Sequence, residues 1–181
     1  AILTHGQRVK AMIINGLGFT QSPIYLSHHF FEGKALSVLF GEDVRHEHFN
    51  DDALGRTLDA IYAYGVTELF AEIANEIAQE FMPSAKRQSL HLDTTSLKLS
   101  GDYAVKDDGS NDEQQPPLPM YGHSKDSRPD LKQVMLSLTV SGPANLPVWL
   151  EGLNGNSQDK TNFHQTLDRI RLFREELEKS P

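Results

Sequence analysis

Near residue 88 the spacing of apolar residues changes period, and that change divides the chain. Up to Pro83 the pattern is helical. Val9, Met12, Ile13 and Leu17 recur at helical spacing, with Gly16 and Gly18 marking the end of that helix. Ser22-Pro23 and Gly33 punctuate the next stretch, which predicts two short helices at about 23–32 and 34–40. Asn50 is placed as an N-cap, with Asp51 and Asp52 in the first turn, where the helix dipole favours acids. Leu54, Leu58, Ile61 and Tyr62 then form one face, and Gly65 ends the helix. A last helix from about residue 67 sets Phe70, Ile73, Ile77 and Phe81 inward and stops at Pro83.

Beyond residue 88 the period falls to two. Residues 89–99 alternate, with Leu90, Leu92, Thr94 and Ser96 on one face and His91, Asp93, Thr95 and Leu97 on the other. Residues 101–119 are acidic and rich in Gly and Pro, which predicts a loop. Val134 to Val140 reads as a strand, and Ser141-Gly-Pro-Ala-Asn145 as a hairpin connection to a strand over 146–151. A helix from about residue 160 carries Phe163, Leu167, Ile170, Phe173 and Leu177 on one face. The fold class is therefore α+β: an all-helical N-terminal module over 1–83, then a β-β-β-α unit over 84–181. Alternation places Asp93 on the same side as Thr95, and the reading sets its strand at the centre of the sheet.

Composition narrows the class. With 181 residues, 38 % hydrophobic and 23 % charged, the chain is long and apolar enough for a buried core. No apolar run approaches the roughly 20 residues of a membrane span, and no basic stretch followed by an apolar one marks a secretory signal. The absence of Cys excludes disulfides and thiolate metal sites, and a cytoplasmic location is expected. A net charge of −8 opposes DNA binding, which draws on Lys and Arg neutralising phosphates. The distribution tempers this: residues 1–83 hold 5 Lys+Arg against 11 Asp+Glu, while 84–181 hold 12 against 14.

Asp93 is the leading chemical candidate. A hard-oxygen ligand on rigid backbone suits Mg²⁺, and the alternative is an edge-strand carboxylate facing water. His91 shares its face and reads as a half-buried strand histidine. In the charged loop, Lys125, Arg128 and Lys132 alternate with Asp126 and Asp130, around Pro129. Such a loop can grip phosphates, or can pair with itself and brace the sheet. Asn154-Gly-Asn-Ser-Gln-Asp159 precedes the last helix, and Ser157 or Asp159 is placed as its N-cap. His28-His29 and His46-Glu-His48 lack a third clustered ligand and read as surface or core histidines.

Two segments carry a family resemblance: His-Leu-Asp-Thr-Thr-Ser at 91–96 and Tyr-Gly-His-Ser-Lys-Asp-Ser-Arg-Pro-Asp-Leu-Lys-Gln at 121–133. With the Gly-Asn-Ser-x-Asp-Lys segment at 155–160, in that order, they resemble the first part of the catalytic domain of DDE transposases from bacterial insertion sequences. Residues 1–83 resemble the N-terminal module preceding that domain in one branch of these enzymes. The resemblance implies the following. The second unit is the first part of an RNase H-like domain, incomplete here. The complete enzyme cleaves DNA and transfers strands with Mg²⁺ or Mn²⁺ held by two Asp and one Glu. Asp93 is the first of those ligands, catalytic and metal-binding; Lys125, Arg128 and Lys132 contact DNA; Thr95, Ser124, Asp126 and Asp130 support the site. The partners are double-stranded DNA, at element ends and target, and further copies of the chain, in the cytoplasm at the nucleoid. The other two carboxylates are expected beyond Pro181. His123 stands where the family has Tyr, and Ser127 where His is common, which leaves the charged framework intact. Two other readings stay open: a truncated, non-catalytic product that pairs with intact transposase, and an autonomous nuclease using Asp93 with Asp126 or Asp130.

Overall fold

A reciprocal cap starts the first helix. Thr4 Oγ1 accepts from the Gln7 amide at 3.2 Å, and the Gln7 side chain accepts from the Thr4 amide at 2.9 Å. The computed structural model describes residues 3–17, 22–81, 89–101, 103, 116–122, 129–142, 145–157 and 159–179. The elements run α1 His5–Gly16, α2 Ser27–Phe30 after a short 3₁₀ turn, α3 Leu36–Phe40, α4 Asp51–Tyr64 after a second 3₁₀ turn, and α5 Val66–Phe81. Then follow β1 Leu90–Leu99, β2 Lys132–Ser141, β3 Leu146–Leu153 and α6 Asp159–Lys179. The fold is mixed helix and sheet, α+β. No described helix is long and apolar enough to cross a membrane.

The chain divides into two compact units, Ala1–Tyr64 and Gly65–Pro181. The division precedes α5, whereas the change of hydrophobic period pointed to 83/84. The reason is packing: α5 lies against β3, so it belongs with the sheet despite its helical pattern.

In the first unit, Leu3, Ala11, Phe31, Leu36, Phe40 and Phe49 form the core. Phe31 meets Phe49 at a ring separation of 4.4 Å and Phe40 edge-on at 5.7 Å. Helix α1 turns Ala11 and Ile14 into this cluster, while Ile13 and Leu17 are exposed, so its inward face is rotated from the one the periodicity suggested. Asn50 caps α4 as expected, its Oδ1 accepting from the Ala53 amide at 2.9 Å. Leu54 is buried, but Leu58 and Tyr62 are exposed. Gly65, at φ 110°, ends the helix in a conformation open chiefly to glycine.

In the second unit, three antiparallel strands lie in the order β1-β2-β3. β2 is central, so β1, which carries Asp93, is an edge strand of the described sheet rather than its central one. Asn145 takes φ 53° at the β2–β3 turn, a conformation Asn tolerates. A register shift between Thr139 and Val140 brings Val140 opposite Pro147, where a missing N–H disturbs the ladder least. Helices α5 and α6 take the inner face of the sheet: Ala71, Trp149 and Ile170 form its core, with Phe173 edge-on to Trp149 at 5.6 Å. Along β2 the inner positions are Gln133, Met135, Ser137, Thr139 and Ser141, all buried. The aliphatic Val134, Leu136, Leu138 and Val140 occupy the other, half-buried face.

Candidate functional site

Strand alternation decides what Asp93 faces. On β1 the inner position Thr94 is buried, while His91, Asp93 and Thr95 point to the side the two helices leave open. Asp93 and Thr95 thus share a face, with Asp93 paired across to Leu138 and Thr95 to Leu136. One carboxylate oxygen, Asp93 Oδ1, accepts from the Thr94 amide at 2.8 Å. That bond anchors the carboxylate to its own strand. An outward, strand-borne carboxylate avoids the desolvation cost of a buried one. The same geometry serves both a metal ligand and an edge-strand acid.

Among the described acids, Glu151 turns away from it. Glu151, on β3, pairs with Ser137 and so lies on the opposite, helix-covered face. There it accepts from Thr166 Oγ1 at 2.5 Å and meets Arg169 Nη2 at 2.6 Å, which ties α6 to β3. Asp130 is exposed in the turn before β2. Among the described residues no three His, Cys, Asp or Glu gather as a metal site. Asp93 supplies one hard-oxygen ligand, and the described residues do not by themselves fit a two-metal centre.

Of the charged loop, His123, Ser124, Lys125, Asp126, Ser127 and Arg128 lie outside the described residues, as does residue 158, which immediately precedes α6. Lys132 is described: it opens β2, and its Nζ donates to the Tyr103 carbonyl, a bracing contact. Asp159 is the first residue of α6 rather than its cap.

The residues flanking the loop form a node that the sequence pattern did not single out. Met120 and Gln133 exchange backbone hydrogen bonds at 3.0 and 2.9 Å. Asn154 Oδ1 accepts from the Leu118 amide at 2.8 Å, and the Gly155 amide donates to the Leu118 carbonyl at 3.1 Å. Gln133, 2 % exposed, donates from Nε2 to the Gly155 carbonyl at 2.8 Å. Gly122 packs on the Gly155 backbone so closely that a Cβ there would sit 2.1 Å from the Gly155 oxygen. Both motif segments therefore join through Gly122, Gln133 and Gly155. The signal available in sequence was a Gln at the start of the strand, matched with Gly122 and Gly155 in the motif segments.

His46 and His48 belong to no group of three metal-ligating side chains among the described residues. The Arg45 amide donates to His48 Nδ1 at 3.0 Å, and His46 Nε2 lies 3.3 Å from Glu47 Oε1. Glu47 is held below the usual carboxylate range, first by its hydrogen bond with backbone and then by the charges of His46, Arg45 and His48.

Residues 1–75 match the family described as Domain of unknown function (DUF4277), a span that covers the first unit and reaches into α5. No curated protein and no solved structure matches the chain.

Proposed function

We propose that the chain is the front part of a DDE transposase of the bacterial insertion-sequence type. Its complete form would perform metal-dependent DNA cleavage and strand transfer. One observation carries this reading: three antiparallel strands followed by a helix, in the order with which an RNase H-like sheet begins, with Asp93 midway along the first strand on its open face. The three motif segments fall on β1, on the entry to β2 and on the approach to α6, in the order the resemblance requires. Asp93 would be one ligand of Mg²⁺ or Mn²⁺, which polarises the scissile phosphate and activates the attacking oxygen. Lys125, Arg128 and Lys132 would hold DNA, with Thr95, Ser124, Asp126 and Asp130 beside them, in a cytoplasmic, nucleoid-associated oligomer.

The test is Asp93→Asn in the complete transposase. Strand cleavage and transfer should be lost, while affinity for the element's end DNA stays within about twofold, because Asn keeps the shape and removes only the charge. The chain's melting temperature should also hold, since an exposed substitution changes stability by about 0.5 kcal/mol or less. Full activity in the Asn variant would reject the reading.

A second reading rests on the charge of −8, which weakens contact with DNA. In it, this chain is a non-catalytic product that pairs with intact transposase and damps it. Adding the chain to active transposase and following strand transfer separates the two.

A further inference from the structure

Helix α5 lies against β3 with small residues buried and four of its larger ones exposed. Ala71 and Ala74 are buried, at 3 and 5 % exposure, whereas Val66, Ile73, Ile77 and Phe81 stand at 49, 50, 38 and 71 %. Separations of seven, four and four residues set these four along one ridge of the helix. The ridge is as long as the element, about 24 Å for 16 residues. A scattered isoleucine on a surface needs no explanation, but an apolar ridge of this length marks an interaction surface. Its border is acidic. Glu76 and Glu80, both exposed, run beside it four residues apart, and residues 57–81 contain five acids and no Lys, Arg or His.

We propose that the exposed ridge of α5 docks an amphipathic helix with cationic flanks, supplied by a partner protein. The apolar side chains of such a helix cover Ile73, Ile77 and Phe81, and Lys or Arg beside them meet the glutamate row. Charge selects this occupant over a second copy. Two α5 helices laid together, in either direction, offer no cation to either row, and antiparallel pairing sets glutamates against glutamates. The inference stands on α5 alone and does not use the transposase reading.

The test takes the full 181-residue chain and two synthetic peptides of about 18 residues, matched to the helix length. Both carry the same leucine stripe; one is flanked by Lys and the other by Glu. Fluorescence anisotropy should show the cationic peptide binding at least about tenfold more tightly at low salt, with the difference collapsing near about 0.5 M salt. Ile73→Ser with Ile77→Ser should remove that binding. Glu76→Gln and Glu80→Gln together should weaken it and flatten its salt dependence. If the serine pair lowers the melting temperature, the glutamine set decides alone. Equal binding of the two peptides, or binding indifferent to both sets of changes, overturns the proposal. So does a dimer of the chain, seen by sedimentation without peptide, that the serine pair dissolves, since the ridge would then belong to a second copy.

Discussion

Gly155 shows how much of a motif can be spent on packing. A Cβ there would lie 1.9 Å from the Gln133 carbonyl oxygen and 2.6 Å from that of Met120. Both are backbone atoms, so no change of rotamer relieves the clash, and the Met120–Gln133 bridge must part. Gly155→Ala is expected to cost about 1–3 kcal/mol in urea unfolding, the range of overpacked interiors. Gly55→Ala is the control: it lies within α4 with nothing within 4 Å of the added carbon, so it should be neutral or stabilise by about 0.5–1 kcal/mol. Equal behaviour of the two variants would show that the glycine node is loose. At the same scale, Lys132 Nζ donates to the Tyr103 carbonyl, a neutral acceptor that leaves the ammonium charge uncancelled.

At the scale of elements, β2 reverses the usual economy of a sheet: its small polar side chains are buried and its aliphatic ones half-exposed. The helices take this side of the sheet, with α5 lying against the neighbouring β3 through Ala71. Thr139 Oγ1 is buried there without a hydrogen-bond partner among the described residues, at 0 % exposure. An unsatisfied buried hydroxyl costs about 1–3 kcal/mol, so Thr139→Val, close in shape, should raise stability by about 1 kcal/mol. A loss of that size would mean that the hydroxyl is satisfied. The elements also show what was legible in sequence. Alternation at 89–99 gave the strand and the common face of Asp93 and Thr95, because a period of two has one solution once one side is covered. Asn50 and Gly65 bounded α4, because caps act locally. The inward face of α5 was not legible. Phe70, Ile73, Ile77 and Phe81 form the more hydrophobic ridge, yet the helix buries Ala71 and Ala74, a choice made by Trp149, far away in sequence. The edge position of β1 was equally hidden, since strand order depends on partners and not on the strand itself.

At the scale of the whole molecule, charge and ligand number decide what this chain can do by itself. Residues 1–64 hold 5 Lys+Arg against 7 Asp+Glu, and 65–181 hold 12 against 18, so neither unit offers the positive surplus that drives phosphate binding. The cations of the motif segment are interleaved with Asp126 and Asp130, which shortens the reach of their field. Asp93 faces outward, and among the described residues it belongs to no group of three metal-ligating side chains. A two-metal mechanism needs ligands enough to hold ions about 3.5–4 Å apart, and one carboxylate does not supply them. The 181-residue chain alone is therefore expected to bind duplex DNA weakly and to leave it uncut with Mg²⁺ or Mn²⁺, followed by gel shift and by nicking of supercoiled plasmid. If it does bind, each phosphate contact through Lys125, Arg128 or Lys132 should contribute about 0.9 to the slope of log K against log salt, and replacing all three with Ala should flatten it accordingly. Metal-dependent nicking that disappears in Asp93→Asn and again in Asp126→Asn or Asp130→Asn would reverse this conclusion. It would make the chain a nuclease in its own right, with the loop carboxylates completing a site that Asp93 begins.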